Sequence, residues 1–106
     1  MSIVSCYATY LISQIVLVPP RVVARPSDQT VTEKERVTFH CIATGNPAPK
    51  VTWLRDGETV AEVETLSFEA SRNQSGNYWC SVENGLGVTV NVSTHLNVHC
   101  KWHVAY

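Results

Sequence analysis

From Pro19 onward the chain is written as short runs in which apolar and polar residues alternate, separated by Gly, Pro, Asn and Asp. Period-2 alternation is how a strand with one buried face reads, and no run carries helical periodicity. In Arg36–Thr44, Val37, Phe39, Cys41 and Ala43 share one face and Thr38, His40 and Ile42 the other. Gly45-Asn46-Pro47-Ala48-Pro49 breaks the chain, because proline cannot donate to a ladder and Gly and Asn accept turn dihedrals. Lys50–Arg55 resumes with Val51 and Trp53 inward, Asp56-Gly57 signals a turn, and Thr65–Glu69 points Leu66 and Phe68 inward. Gly76–Glu83 then sets Tyr78, Cys80 and Val82 inward. After the Asn84-Gly85-Leu86-Gly87 turn, the even-numbered residues of Val88–Val98 share one face. A last hairpin centred near Gly85 would place Cys80 opposite Val90, Val82 opposite Val88 and Trp79 opposite Asn91.

The chain has 106 residues, enough for one packed sandwich of about 100 residues and too few for two. Its 44% hydrophobic and 16% charged residues exclude disorder and a coiled coil. Eight basic residues are scattered among nine acidic ones, so the clustered charge that nucleic-acid binding requires is missing. Four cysteines leave open a disulfide framework, a metal site or buried thiols. None forms a C-x-x-C pair, which argues against a zinc ribbon or thioredoxin-like motif and favours a Cys41–Cys80 bridge in an oxidising compartment. Sheets packed about 10 Å apart can be bridged where an early and a late strand both turn a cysteine inward. Trp53 has the parity to fill the space beside such a bridge. Tyr78 is placed for a corner in which its hydroxyl bonds back to the preceding turn, which Gly76 lets the chain enter.

Residues 1–18 read as an N-terminal extension, 19–99 as the domain and 100–106 as a tail. Leu11–Val18 is apolar apart from Ser13 and Gln14, and small residues at Val22 and Ala24 are spaced like a cleavage site, but no Lys or Arg precedes the run. A signal-like segment and a remnant of a preceding module both fit, better than a membrane span of roughly 20 apolar residues. Cys6 and Cys100 can be unpaired, joined to each other or joined to another chain. His95, His99, Cys100 and His103 match no established ligand spacing, so no metal and no cofactor is expected.

Val37-Thr38-Phe39-His40-Cys41, Gly45-Asn46-Pro47-Ala48-Pro49, Trp53-Leu54-Arg55-Asp56-Gly57, Gly76-Asn77-Tyr78-Trp79-Cys80 and Glu83-Asn84-Gly85-Leu86-Gly87 together resemble the immunoglobulin superfamily. The likeness is to the intermediate-set modules of cell-adhesion molecules and receptor ectodomains, and it covers about Pro19 to Val98. It implies an all-β, immunoglobulin-like two-sheet antiparallel sandwich with Greek-key connections. Two departures stand out. Gln74 occupies the position where the family usually has an Asp that pairs with an Arg, so that ion pair is missing. The stretch from Trp53 to Cys80 is short, which implies about seven strands with the middle edge strand short or absent.

Asn73-Gln74-Ser75 and Asn91-Val92-Ser93 are N-glycosylation acceptors, on a turn and on the outer face of the last strand. Outward Trp79, extended by Leu54, is a candidate binding surface, an apolar patch for a glycan on Asn91, or a lone exposed indole. Glu58 and Glu62 lie in an acidic turn region, Glu58–Glu64, where modules resembling integrin ligands present an acidic side chain to the receptor's metal. No nucleophile with a base, carboxylate pair or phosphate-cradling glycine loop is recognisable, so no catalysis is expected. The reading is an extracellular, cell-surface or secreted module that recognises protein partners, homophilic or heterophilic, with a ligand-binding or spacer module of a receptor as the alternative. No small-molecule substrate is expected, and membrane attachment only through other parts of a longer chain.

Overall fold

The computed structural model describes residues 16–100. These residues form nine strands: β1 Val18–Ala24, β2 Gln29–Thr32, β3 Arg36–His40, β4 Ile42–Asn46, β5 Lys50–Arg55, β6 Glu58–Ala61, β7 Thr65–Glu69, β8 Gly76–Glu83 and β9 Thr89–His99. A single 3-10 turn, Arg72–Gln74, precedes β8. One layer of the sandwich is a five-stranded sheet in the order β2-β9-β8-β5-β6. The other holds the β1-β4 and β3-β7 pairs, which are joined because β4 continues β3 through Cys41. Cys6, His103 and most of the apolar run Leu11–Val18 lie outside the described residues. Val22 and Ala24 are inside β1, paired with Ala43 and Ile42.

Nine strands instead of about seven arise from two interruptions within single runs. Between β1 and β2 the chain leaves one layer for the other around Pro26, which cannot donate to a ladder. Between β3 and β4, the Cys41 amide donates to the Glu64 carbonyl at 2.9 Å in place of a ladder partner. The first interruption also adds one parallel pair to an otherwise antiparallel sandwich. Having crossed, β2 runs alongside β9 in the same direction, with Gln29 opposite Leu96 and Thr32 opposite His99. The Asp28 carboxylate pins this crossing, accepting from the His95 amide at 2.9 Å and the buried Thr94 hydroxyl at 3.2 Å. The short middle edge strand is present as β6, entered through an Asp56-Gly57 turn in which both residues have positive φ. Residues 58–61 are therefore strand, not the acidic turn read from the sequence.

The last hairpin corrects the expected register. Cys80 pairs with Val92, Val82 with Val90 and Trp79 with Ser93, two residues further along β9 than anticipated. The connection is longer than a tight turn centred on Gly85: it runs over Asn84–Val88, with Gly85 and Gly87 both at φ +84. Val88 consequently sits in the loop, exposed, and does not open the inward row of β9. A slip of two residues preserves every side chain's face, so the core is unaffected.

That core is Val37, Phe39, Trp53, Val82 and Leu96 around the Cys41–Cys80 disulfide, all fully buried. Leu66 and Phe68 are partly buried and pack against it. Four rings run through it in sequence: Trp53 to Phe39 at 5.8 Å, Phe39 to Tyr78 at 5.7 Å and Tyr78 to Phe68 at 5.9 Å between centroids. Offset contacts of this kind add to the area the rings bury.

Candidate binding surface

The alternation that buries Tyr78, Cys80 and Val82 turns the odd-numbered residues of β8 outward, and with them the indole of Trp79, 45% exposed. Cross-strand pairing decides what surrounds it. Leu54 of β5 lies directly opposite on one side and Ser93 of β9 on the other, while Asn91 faces Ser81 one pair further on. Leu54, Gly57, Trp79, Ser81 and Asn91 line a shallow concavity of about 400 Å³. No charged side chain is among its walls. Gly57 reaches this rim from the turn between β5 and β6.

The turn beneath Tyr78 shows what stands in for the missing ion pair. The Tyr78 hydroxyl donates to the Gln74 carbonyl at 2.7 Å, and Gly76, at φ +139, takes the chain round the corner. The Arg55 guanidinium lies 5.7 Å from the centre of the Tyr78 ring and donates to the carbonyl oxygens of Asn73 and Ser75. Gln74 is occupied locally, its side-chain oxygen accepting from the Ser71 amide at 2.8 Å. A cation over a ring and two backbone acceptors thus hold the turn without a carboxylate. Sequence reading missed Arg55, whose only signal was its place beside Asp56-Gly57.

Asn84 was also missed as more than a turn residue. Its carboxamide nitrogen donates to the Val18 carbonyl at 2.8 Å and the Pro47 carbonyl at 3.0 Å, tying three chain segments at one end of the sandwich. Gly45 lies against this knot, where a Cβ would come within 3.1 Å of both the Asn84 nitrogen and the Val18 oxygen.

The remaining candidates lie elsewhere. Asn73 sits exposed in the 3-10 turn. Glu58 opens β6, and Glu62 follows it, ion-paired with Lys50 at 3.0 Å. That carboxylate raises the Lys50 pKa, first by its hydrogen bond and then by its charge. His95 hydrogen-bonds Asn77 at 2.8 Å, and the Cys100 sulfur accepts from Arg72. Among the described residues no group of three or more His, Cys, Asp or Glu is placed to hold a metal.

Burial raises the pKa of Tyr78, against the opposing pull of the Arg55 charge. The phenol thus binds its proton more tightly in the folded state than in the unfolded chain. The stabilisation is complete below the ordinary tyrosine pKa of about 10 and is lost as pH climbs through the raised folded value. Thermal melts of the wild-type chain should therefore fall off steeply in the alkaline range. Tyr78→Phe should start lower, by about 1 kcal/mol for the lost hydrogen bond, and fall off less. Parallel alkaline slopes for the two proteins would show that Tyr78 does not carry the effect.

The immunoglobulin-domain model matches residues 19–84, well over half the chain. The chain belongs to the immunoglobulin superfamily. This Ig domain is 45% identical over 75 residues to human IgLON family member 5, covering 68% of the chain and 22% of that protein. It is 32% identical over 96 residues to Cell adhesion molecule-related/down-regulated by oncogenes of Xenopus laevis, covering 83% of the chain and 8% of that protein. The chain thus spans only a small part of these relatives. Among solved structures, the two-Ig-domain fragment of DIP-gamma matches with a TM-score of 0.73 at 31% identity, over 79% of the chain and 50% of the fragment. A chain in the complex of Dpr2 Ig1-Ig2 with DIP-Theta Ig1-Ig3 matches with a TM-score of 0.72 at 31% identity, over 79% of this chain and 33% of that one. An adhesion or recognition Ig module is what these relatives support. Among the described residues no helix is long and apolar enough to cross a membrane.

Proposed function

We propose that this Ig domain is a non-catalytic extracellular recognition module that binds an Ig domain of a partner protein through the outer face of its five-stranded sheet, with Trp79 as the anchor and Leu54 beside it. The observation that carries this reading is the half-exposed indole in an uncharged concavity of that outer face. Interface hot spots are enriched in tryptophan, and interface centres are depleted in charge. The relatives' names favour adhesion, and the solved Dpr2–DIP-Theta complex favours a partner of the same fold. The disulfide favours an oxidising, extracellular setting. A human protein named a probable oxidoreductase is also similar, but the chain spans only 6% of its length. An integrin-type contact would fall to Glu58 more readily than to Glu62, whose carboxylate already faces Lys50.

The test is surface plasmon resonance of the unglycosylated chain against a panel of adhesion-type Ig ectodomains, with the chain itself included. Trp79→Ala should weaken binding at least about tenfold, as expected for an anchor contributing more than 1 kcal/mol. Ile42→Ala, an exposed apolar residue on the opposite layer, should not. Equal binding by the Trp79 variant would remove this face from the account, and silence across the whole panel would favour a spacer.

A further inference from the structure

The sequon Asn91-Val92-Ser93 is the one acceptor that opens onto the Trp79 concavity. Val92 is buried, which fixes Asn91 and Ser93 on the outer face. Ser93 pairs directly with Trp79, Asn91 pairs with Ser81, and Asn91 is itself part of the wall. An exposed Asn on the solvent side of a strand can carry a bulky substituent without disturbing the core. The concavity's other contributors, Leu54, Trp79, Gly57 and Ser81, offer an apolar floor with a hydroxyl at its edge and no charge. That is the surface a neutral sugar fits, one face of its ring presenting C–H groups and its rim presenting hydroxyls.

We infer that Asn91 carries an N-linked glycan whose first sugar lies over Trp79 and Leu54, so that occupancy at Asn91 decides whether this face is open to a protein partner. The covalent step is transfer of an oligosaccharide from a lipid-linked diphosphate donor. The Asn91 Nδ2 bonds to the anomeric carbon, the C–O bond to the diphosphate breaks, the lipid diphosphate leaves and one amide proton passes to base. The second sequon cannot substitute: Asn73 sits in the 3-10 turn before β8, is not among the walls of this concavity, and has its side-chain oxygen engaged by Ser71. An exposed aromatic anchor is also a liability for nonspecific association, so a covering attached within the patch keeps the module soluble until an uncovered form is made. The glycan site stands on the sequon and its geometry; the gating of binding rests on the Trp79 reading proposed above.

The chain secreted from glycosylating animal cells tests both. Peptide mapping should find a glycan on Asn91, and acrylamide should quench tryptophan fluorescence more strongly after enzymatic deglycosylation. That increase should be absent in Trp79→Phe and unchanged in Asn73→Gln. Asn91→Gln and Ser93→Ala, each removing the acceptor by a different residue, should bind the Ig panel at least tenfold more tightly than the glycosylated wild type. An unmodified Asn91 peptide, or a glycan whose removal leaves quenching unchanged, overturns the inference and leaves the docking face untouched. Shielding without any gain in binding by the two variants overturns the gating. If the unglycosylated chain also binds nothing, the docking reading falls while the glycan site stands.

Discussion

Replacing both Cys41 and Cys80 by alanine is expected to lower stability by about 4 kcal/mol, the chain-entropy contribution of closing a loop whose ends are 39 residues apart. A domain of this size is held by only about 5–15 kcal/mol in all, so the loss is a large fraction of the whole. The bridge also fills the centre of the core, where both cysteines are fully buried between the layers. Urea denaturation of the wild-type chain with and without a reductant, beside the double variant, measures the effect. The reduced and double-alanine chains should both unfold at much lower urea. Counting alkylatable thiols before and after reduction verifies that the bridge was present. Identical midpoints would mean that the two layers hold together without it.

The second large effect belongs to Trp53, which has no exposed surface and stacks on Phe39 beside the bridge. Trp53→Ala should cost about 3–5 kcal/mol, from the lost apolar burial and the cavity left in a close-packed interior. Trp53→Phe separates shape from polarity. The indole nitrogen is buried without a hydrogen-bond partner among the described residues, so a phenyl ring forfeits no hydrogen bond there. The phenylalanine variant should therefore remain folded under conditions in which the alanine variant is largely unfolded, as read by near-ultraviolet circular dichroism. Equal losses in the two variants would show that filling the space beside the disulfide is not what Trp53 contributes.

The pattern of residues made the faces of the strands legible, and left their partners less so. Alternation alone places Val37, Phe39, Val51, Trp53, Tyr78, Cys80 and Val82 inward, and all seven are buried. It also turns Trp79 and Asn91 outward, and both are exposed. Parity is blind to a slip of two, however. The longer Asn84–Val88 loop therefore moved Trp79 from Asn91 to Ser93 without altering any face. Alternation likewise cannot tell parallel from antiparallel neighbours, which is why β2 beside β9 was not foreseen. The contacts of Arg55 and Asn84 were hidden for another reason. Each reaches backbone carbonyls remote in sequence, and a carbonyl carries no residue identity to read.

What an outward indole does depends on neighbours brought together by pairing; Leu54 and Asn91 are expected beside Trp79 from the sequence, and the structure adds Ser93 and Gly57. Leu54 across one ladder, Ser93 across the other and Asn91 on the diagonal define a patch that no linear stretch of the chain displays. Its composition sets it apart from the Lys50–Glu62 end of the same sheet, where an exposed ion pair contributes little to stability and offers no apolar anchor.

The most direct measurement is amide chemical-shift mapping of the isotope-labelled, unglycosylated chain titrated with the tightest binder from the Ig ectodomain panel. The account predicts that the shifts cluster at Leu54, Trp79, Ser81 and Asn91 and disappear in Trp79→Ala. Shifts confined to the β1–β4 and β3–β7 layer, with the five-stranded sheet silent, would contradict it.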